Sequence, residues 1–157
     1  MTVDGDRALT HTYDPCELDL VAGSLVDRES YVTQNRSHGP RGRSKIAALN
    51  AVWLDLDVHR VPSLSHLERP EIETLIRDRI SGAGLPPASF LVDSGRGYHV
   101  IWFFESAVAA ALPRWSALMR ALVEWAQPLG ADPACIDAAR VLRLPGSWHK
   151  GACREVT

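Results

Sequence analysis

Asp55-Leu56-Asp57 puts two carboxylates two positions apart in a run that alternates cleanly. Val52, Leu54, Leu56 and Val58 fall on one face of that run, and Trp53, Asp55 and Asp57 on the other. In an extended chain the two carboxylates point the same way, about 6.6 Å apart. Like charges so placed are unfavourable until something neutralises them. A divalent cation does this well. Mg²⁺ takes hard oxygen ligands and commonly uses one or two carboxylates together with substrate phosphates. The alternative is a pair of solvated carboxylates on an open sheet face.

Two further groups carry chemistry. In Ser94-Gly95-Arg96-Gly97-Tyr98-His99 the glycines allow a tight turn or a close approach to a ligand. Ser94 and His99 offer hydrogen bonds at its base, and Arg96 adds charge at its tip. A plain hairpin turn with a satisfied histidine is the other reading. The G-x-G-x-x-G spacing of a dinucleotide site is absent, and a strand follows where a helix would have to begin. The second group runs from Arg140 to Lys150, with Arg140, Arg143, Ser147, His149 and Lys150 around the turn Pro145-Gly146. All are side chains of the kinds that contact phosphate. Asp132 and Asp137 precede it, and either can supply a third carboxylate. Arg36, Arg41, Arg43 and Lys45 crowd a Gly- and Pro-containing loop, which suits phosphate recognition or simply solvation.

Other chemistries find less support. His149 and Cys153 are four apart with Cys135 upstream, but no second close ligand pair completes a zinc site. There is no G-x-S-x-G, and nothing specific flanks any cysteine.

The elements that position these groups follow from pattern and punctuation. Tyr31–Gln34 reads as a short strand, Asn35–Ser44 as an exposed loop, and Ala51–Val58 as a strand with one face in the core. Pro70 suits the first turn of a helix whose Ile72, Leu75, Ile76 and Ile80 share a face, closed by Gly82 and Gly84. Ser89–Asp93 and Tyr98–Phe104 form a hairpin. Pro113 opens a second helix through Trp115, Leu118, Met119, Leu122 and Ala126. Residues 131–139 read as loop or short strand, and Arg140–Leu144 as another strand. The order predicts an α+β fold, a mainly antiparallel sheet with helices packed against it. Residues 1–30 receive no firm element.

The chain has 157 residues, 46% hydrophobic and 23% charged, enough to bury one core without disulfides. A net charge of −2 does not announce nucleic-acid binding, but the basic residues are concentrated in local clusters. No apolar run approaches the ~20 residues that span a bilayer. Met1–Asp14 is polar and of mixed charge, and Cys16, Cys135 and Cys153 form no C-x-x-C pair. A reduced, cytoplasmic protein without a secretory leader is expected.

A strand D-x-D, an S-G-x-G-x-H hairpin roughly forty residues on, and an acidic residue followed by R-x-x-R-L-P-G roughly forty further resemble the archaeo-eukaryotic primase superfamily. The resemblance is greatest to the primase-polymerase domains of plasmid, phage and mobile-element replication proteins, and it runs from about Tyr31 to Lys150. It implies that Asp55 and Asp57 bind metal and that Ser94 and His99 form the second motif, with His99 on the incoming nucleotide. For the third motif, Asp137 fits the hydrophobic-acidic pattern more literally. Asp132 is favoured by the G-x-D that many relatives carry. Arg140, Arg143 and Lys150 match basic residues near triphosphate or template. Ser147 and His149 stand where Thr and Asn are more usual.

The resemblance implies a small N-terminal α/β unit joined to a sheet like an RNA-recognition module, in a single domain spanning residues 1–157. The chain stops soon after the third motif, which reads as a fragment, a minimal domain or a truncated gene. The implied activity is template-directed nucleotidyl transfer in DNA replication, by a two-metal mechanism on the aspartates with Mg²⁺ or Mn²⁺, on a single-stranded DNA template with nucleoside triphosphates. Such domains often precede a helicase. Arg96, Arg41 and Arg43 would hold substrate or template phosphates. A non-catalytic nucleic-acid-binding domain and a metal-dependent phosphodiesterase or nuclease are the rival readings.

Overall fold

The strand that carries Asp55 is longer than its alternation predicts, and it ends sooner. In the computed structural model, which describes residues 2–4, 7–9, 23–25, 28–39 and 41–157, it runs from Ile46 to Leu56. Asp57 and Val58 have already left it for a 3₁₀ turn over Val58–Arg60. Nor is one face open. Trp53 and Leu54, on alternate faces, are both buried. The Trp115 ring packs 5.2 Å from that of Trp53, and its indole N–H donates to the Ala51 carbonyl. A strand covered on both sides carries apolar residues on both, which is why Trp53 shares the alternation of Asp55 without sharing its solvent.

Among the described residues the strands are β1 (Thr2–Asp4), β2 (Arg7–Leu9), β3 (Tyr31–Thr33), β4 (Arg36–Ser37), β5 (Ile46–Leu56), β6 (Phe90–Asp93), β7 (Tyr98–Val108), β8 (Val141–Arg143), β9 (Trp148–His149) and β10 (Arg154–Glu155). Among the described residues, two helices of 14 residues each, α1 (Arg69–Gly82) and α2 (Leu112–Trp125), pack with these strands. The central sheet has the order β4-β5-β7-β6 and is antiparallel throughout. Small antiparallel pairs β1–β2, β3–β8 and β9–β10 flank it. This is an α+β fold built on antiparallel sheet.

Helix α1 starts where Glu68 and Glu71 cap each other, with Pro70 in the first turn. It buries Ile72, Ile76 and Ile80, spaced one turn apart. Helix α2 buries Trp115, Met119, Leu122 and Val123. These side chains join β5 and β7 in one hydrophobic cluster. The segment read as loop or short strand at 131–139 is a 3₁₀ turn, Pro133–Ile136, preceded by an isolated antiparallel bridge between Leu56 and Ala131. At the other end of the chain, Val156 hydrogen-bonds to Gly146 and Ser147 while Thr157 pairs with Asp93. The last residues therefore stitch the turn after β8 to the edge of the central sheet. Among the described residues no helix is long and apolar enough to cross a membrane. Cys16 lies outside the described residues.

Candidate active site

Register brings the first two motifs together. In the β5–β7 pairing Asp55 stands opposite His99, and Leu56 opposite Tyr98. The pairing closes this tightly because residue 97 has no side chain. A Cβ on Gly97 would lie 1.9 Å from the Leu56 carbonyl oxygen. His99 is buried, with Nε2 3.5 Å from Asp55 Oδ1. Burial pushes its imidazole down to about 4, although the Asp55 charge works the other way, so it is neutral at pH 7.

Asp55 has a second neighbour on its other side. The Asp57 N–H donates to the Gly130 carbonyl and the Asp132 N–H to the Asp55 carbonyl, flanking the Leu56–Ala131 bridge. That antiparallel register sets Asp132 across from Asp55. Gly130 makes the approach feasible: it has φ +80°, and a Cβ there would lie 2.9 Å from the Asp57 carbonyl oxygen. Like charges directly opposed on neighbouring strands repel. Here one guanidinium nitrogen of Arg140 serves both, 3.2 Å from Asp55 Oδ2 and 2.7 Å from Asp132 Oδ2. Burial alone would lower the Arg140 pKa, but the two carboxylates outweigh it and raise it.

Asp137 is employed differently. Its carboxylate accepts the Ala139 N–H and lies 3.9 Å from Arg41, which turns the chain towards Arg140. Asp57 turns out to Arg60, 3.0 Å away.

These groups open on a cleft of about 440 Å³. Asp55, Asp57, Ser94, Arg96, His99, Arg140, Arg143 and Arg41 line it, together with Tyr31, His59, Arg60 and His149. Five arginines thus face two aspartates among the described lining residues, a balance suited to a polyanion. Arg143 is stacked over the Tyr31 ring at 4.9 Å, its cross-strand partner, and donates to Glu29 at 2.7 Å. Burial raises the Glu29 carboxyl, but hydrogen bonds from Arg143 and Tyr31 hold it below its ordinary value. His149 lies against the 94–97 turn; burial and then the charges of Arg143 and Arg96 lower its pKa. Nδ1 of both His99 and His149 is buried without a hydrogen-bond partner among the described residues.

Four expected residues stand apart from the cleft wall. Asp132 is reached through Arg140. Asp137 serves its turn, Arg43 reaches the Ser116 hydroxyl, and Lys150 is exposed. Ser147 is buried and donates to the Ser30 carbonyl, so it supports the turn and is not presented from it.

Sequence reasoning missed three supports. Buried Asp93 accepts the Gly95 N–H at 2.8 Å and pairs with Arg69 and with Arg154, which fixes the 94–97 turn. Buried Asn35 bonds the backbone of Asn50, Ala51 and Ala138, tying β5 to the segment before Arg140. Glu29 holds Arg143. Only Asp93 adjoins an apolar run; Glu29 and Asn35 sit in polar stretches, and Asn35 is buried, with Arg36–Ser37 in strand, where the sequence predicts an exposed loop over residues 35–44.

Among the described residues no three Asp, Glu, His or Cys groups converge as a ready metal site. Two hard carboxylates do converge, closely enough for one nitrogen to touch both, and that is the number Mg²⁺ commonly uses with a phosphate substrate. The donor set fits a hard divalent ion that shares its remaining positions with substrate and water.

Residues 33–151 match the RepB DNA-primase N-terminal domain family. A replication protein of Clostridium perfringens is 31% identical over 124 residues, which cover 78% of this chain and 30% of that protein. The chain thus spans under a third of the length of that curated relative. The AEP domain of the Cyanophage S-2L primase-polymerase aligns with a TM-score of 0.59 at 21% identity, covering 96% of this chain and 70% of that one. At that identity the likeness is one of fold.

Proposed function

Because the chain belongs to the RepB DNA-primase N-terminal domain family, we propose that it is a catalytic primase-polymerase domain performing template-directed nucleotidyl transfer in DNA replication. The observation that carries this reading is Asp55 on the wall of an arginine-lined cleft, with Asp132 set across from it by main-chain register and joined to it through Arg140. Asp55 and Asp132 would hold Mg²⁺ or Mn²⁺, with Asp57 beside them. When bound, the ion supplies the charge that activates a 3′-hydroxyl and steadies the leaving pyrophosphate.

The chain's own residues do the positioning. Neutral His99 presents a ring N–H without bringing a charge that would compete for the carboxylates. Arg96 and Arg143 neutralise charge on the triphosphate, and the Tyr31 and Glu29 contacts keep the Arg143 guanidinium in one orientation. Arg41, held by the Ala139 carbonyl at 2.7 Å, extends the positive wall towards a single-stranded template. Arg43 and Lys150 belong to the outer path of template or triphosphate.

One observation favours a second reading, a non-catalytic nucleic-acid-binding domain: Arg140 already neutralises both carboxylates. The deciding experiment measures incorporation of labelled nucleotide on single-stranded DNA, with and without primer, in Mg²⁺ and in Mn²⁺. Incorporation by the wild type that Asp55→Asn loses supports catalysis. DNA binding without incorporation in either metal refutes it, and metal-dependent cleavage of the template would point to a nuclease.

A further inference from the structure

Arg140 touches the same carboxylate oxygens that a metal would need. Its Nη2 is 2.7 Å from Asp132 Oδ2 and 3.2 Å from Asp55 Oδ2. A Mg²⁺ ion would stand about 2.0–2.1 Å from its oxygens. A guanidinium nitrogen and such an ion cannot both lie between those oxygens, and their positive charges repel.

The carboxylates have little freedom to avoid the conflict. Main-chain hydrogen bonds on either side of the Leu56–Ala131 bridge hold the two residues opposite each other, and Asp132 Oδ1 accepts the Ala134 N–H at 2.8 Å. Among the described residues no other cation contacts both. His99 stands 3.5 Å from Asp55, and Asp57 is engaged with Arg60. Arg140 is also on the cleft wall, beside Arg143 and near Arg96, where an entering triphosphate would meet it. Its side chain is 28% exposed, so it has somewhere to go.

Resting on the nucleotidyl-transfer reading, we propose that Arg140 is the resident cation of the Asp55–Asp132 pair and must leave before a divalent metal can bind there. Arg140 and metal occupy the pair in turn. Without substrate, Arg140 keeps the opposed carboxylates neutralised and the metal affinity low. An incoming triphosphate offers Arg140 another anion, draws it off the pair, and so raises the affinity for metal. By linkage, metal raises the affinity for triphosphate equally. Arg140 is therefore a positioning residue that couples the two binding events, and not merely one more phosphate contact.

The test is direct Mn²⁺ binding to the full chain, read from the loss of the free-ion electron paramagnetic resonance signal, without nucleotide. Arg140→Gln keeps the length and removes the charge. It should bind Mn²⁺ more tightly than wild type, by about 5–150-fold if the coupling has an ordinary size. Arg140→Lys, which keeps a cation near the pair, should stay close to wild type. Thermal melts guard against misfolding: Arg140→Gln should melt below wild type without metal and recover when Mn²⁺ is added.

Asp55→Asn in the same titration separates the two levels of the argument. If Mn²⁺ binding depends on Asp55 but Arg140→Gln binds no tighter than wild type, the proposal is overturned and the metal site stands. If no protein shows Asp55-dependent binding, the metal-dependent reading fails and takes the proposal with it.

Discussion

Gly97→Ala is the sharpest perturbation of the frame that holds Asp55 against His99. A Cβ at residue 97 would stand 1.9 Å from the Leu56 oxygen and 3.0 Å from its carbonyl carbon. Ordinary contact begins near 3.4 Å. The obstacle is backbone at the last pair of the β5–β7 ladder, so no rotamer relieves it. The hairpin base must instead move from β5 by roughly 1–1.5 Å, and close-packed interiors resist such shifts. Overpacking of this kind costs about 1–3 kcal/mol, which lowers the melting temperature by about 3–10 °C in a domain of this size. The same shift moves His99 relative to Asp55, and a ~1 Å misplacement can cost ~10²-fold in rate.

Gly82→Ala is the matched control. Residue 82 ends α1 with nothing within 4 Å of the added carbon, so Ala there should be neutral or stabilising by about 0.5–1 kcal/mol. Urea denaturation reads the stabilities, with a constant m-value required for the comparison. A Gly97→Ala protein as stable as wild type would refute the packing argument.

Three further outcomes are expected. His99 has a folded pKa of about 4 against an ordinary 6.5, so the unfolded chain takes up its proton first on acidification. Its contribution is intact above pH 6.5 and is lost as pH falls towards 4, by up to about 3 kcal/mol; His99→Gln should flatten that part of the stability–pH curve, and equal slopes would contradict the assignment. Asp93→Ala strands Arg69, Arg154 and the Gly95 N–H, and should cost about 2–3 kcal/mol by denaturation, below the ~3–5 of a fully buried pair because the arginines are 34% and 38% exposed. Trp115→Ala empties a buried site against Trp53 and removes the bond to Ala51, so it should cost about 3–5 kcal/mol.

Much of this fold could be read from residue spacing because its helices obey local rules. Pro70 marks the start of α1, and isoleucines one turn apart mark its buried face. The β6–β7 hairpin was equally clear from its glycines and β-prone flanks. What failed to show was decided by tertiary contact. Residues 46–50 lack alternation because β5 is covered on both faces, so the strand starts five residues before its visible pattern. Asp57 sits one residue beyond the last strand position, a boundary fixed by the turn to Arg60.

The site divides along the same line. Spacing picked out Asp55, Ser94, Arg96, His99, Arg140 and Arg143, and the fold gathers all six around one cleft. Spacing left Asp132 and Asp137 open, since both precede Arg140 by a few residues. Register separates them: the Leu56–Ala131 bridge sets Asp132 across from Asp55, while Asp137 closes a turn. The Arg140 contact to both carboxylates had no sequence signal, because Arg140 and Asp55 lie 85 residues apart.

The most direct test of the central claim compares nucleotide incorporation by wild type, Asp55→Asn, Asp132→Asn and Asp137→Asn on single-stranded DNA in Mn²⁺. Incorporation is expected from the wild type and from Asp137→Asn, and its loss from Asp55→Asn and Asp132→Asn, with each protein folded by circular dichroism. Wild-type rates in Asp132→Asn, or loss in Asp137→Asn alone, would contradict that claim.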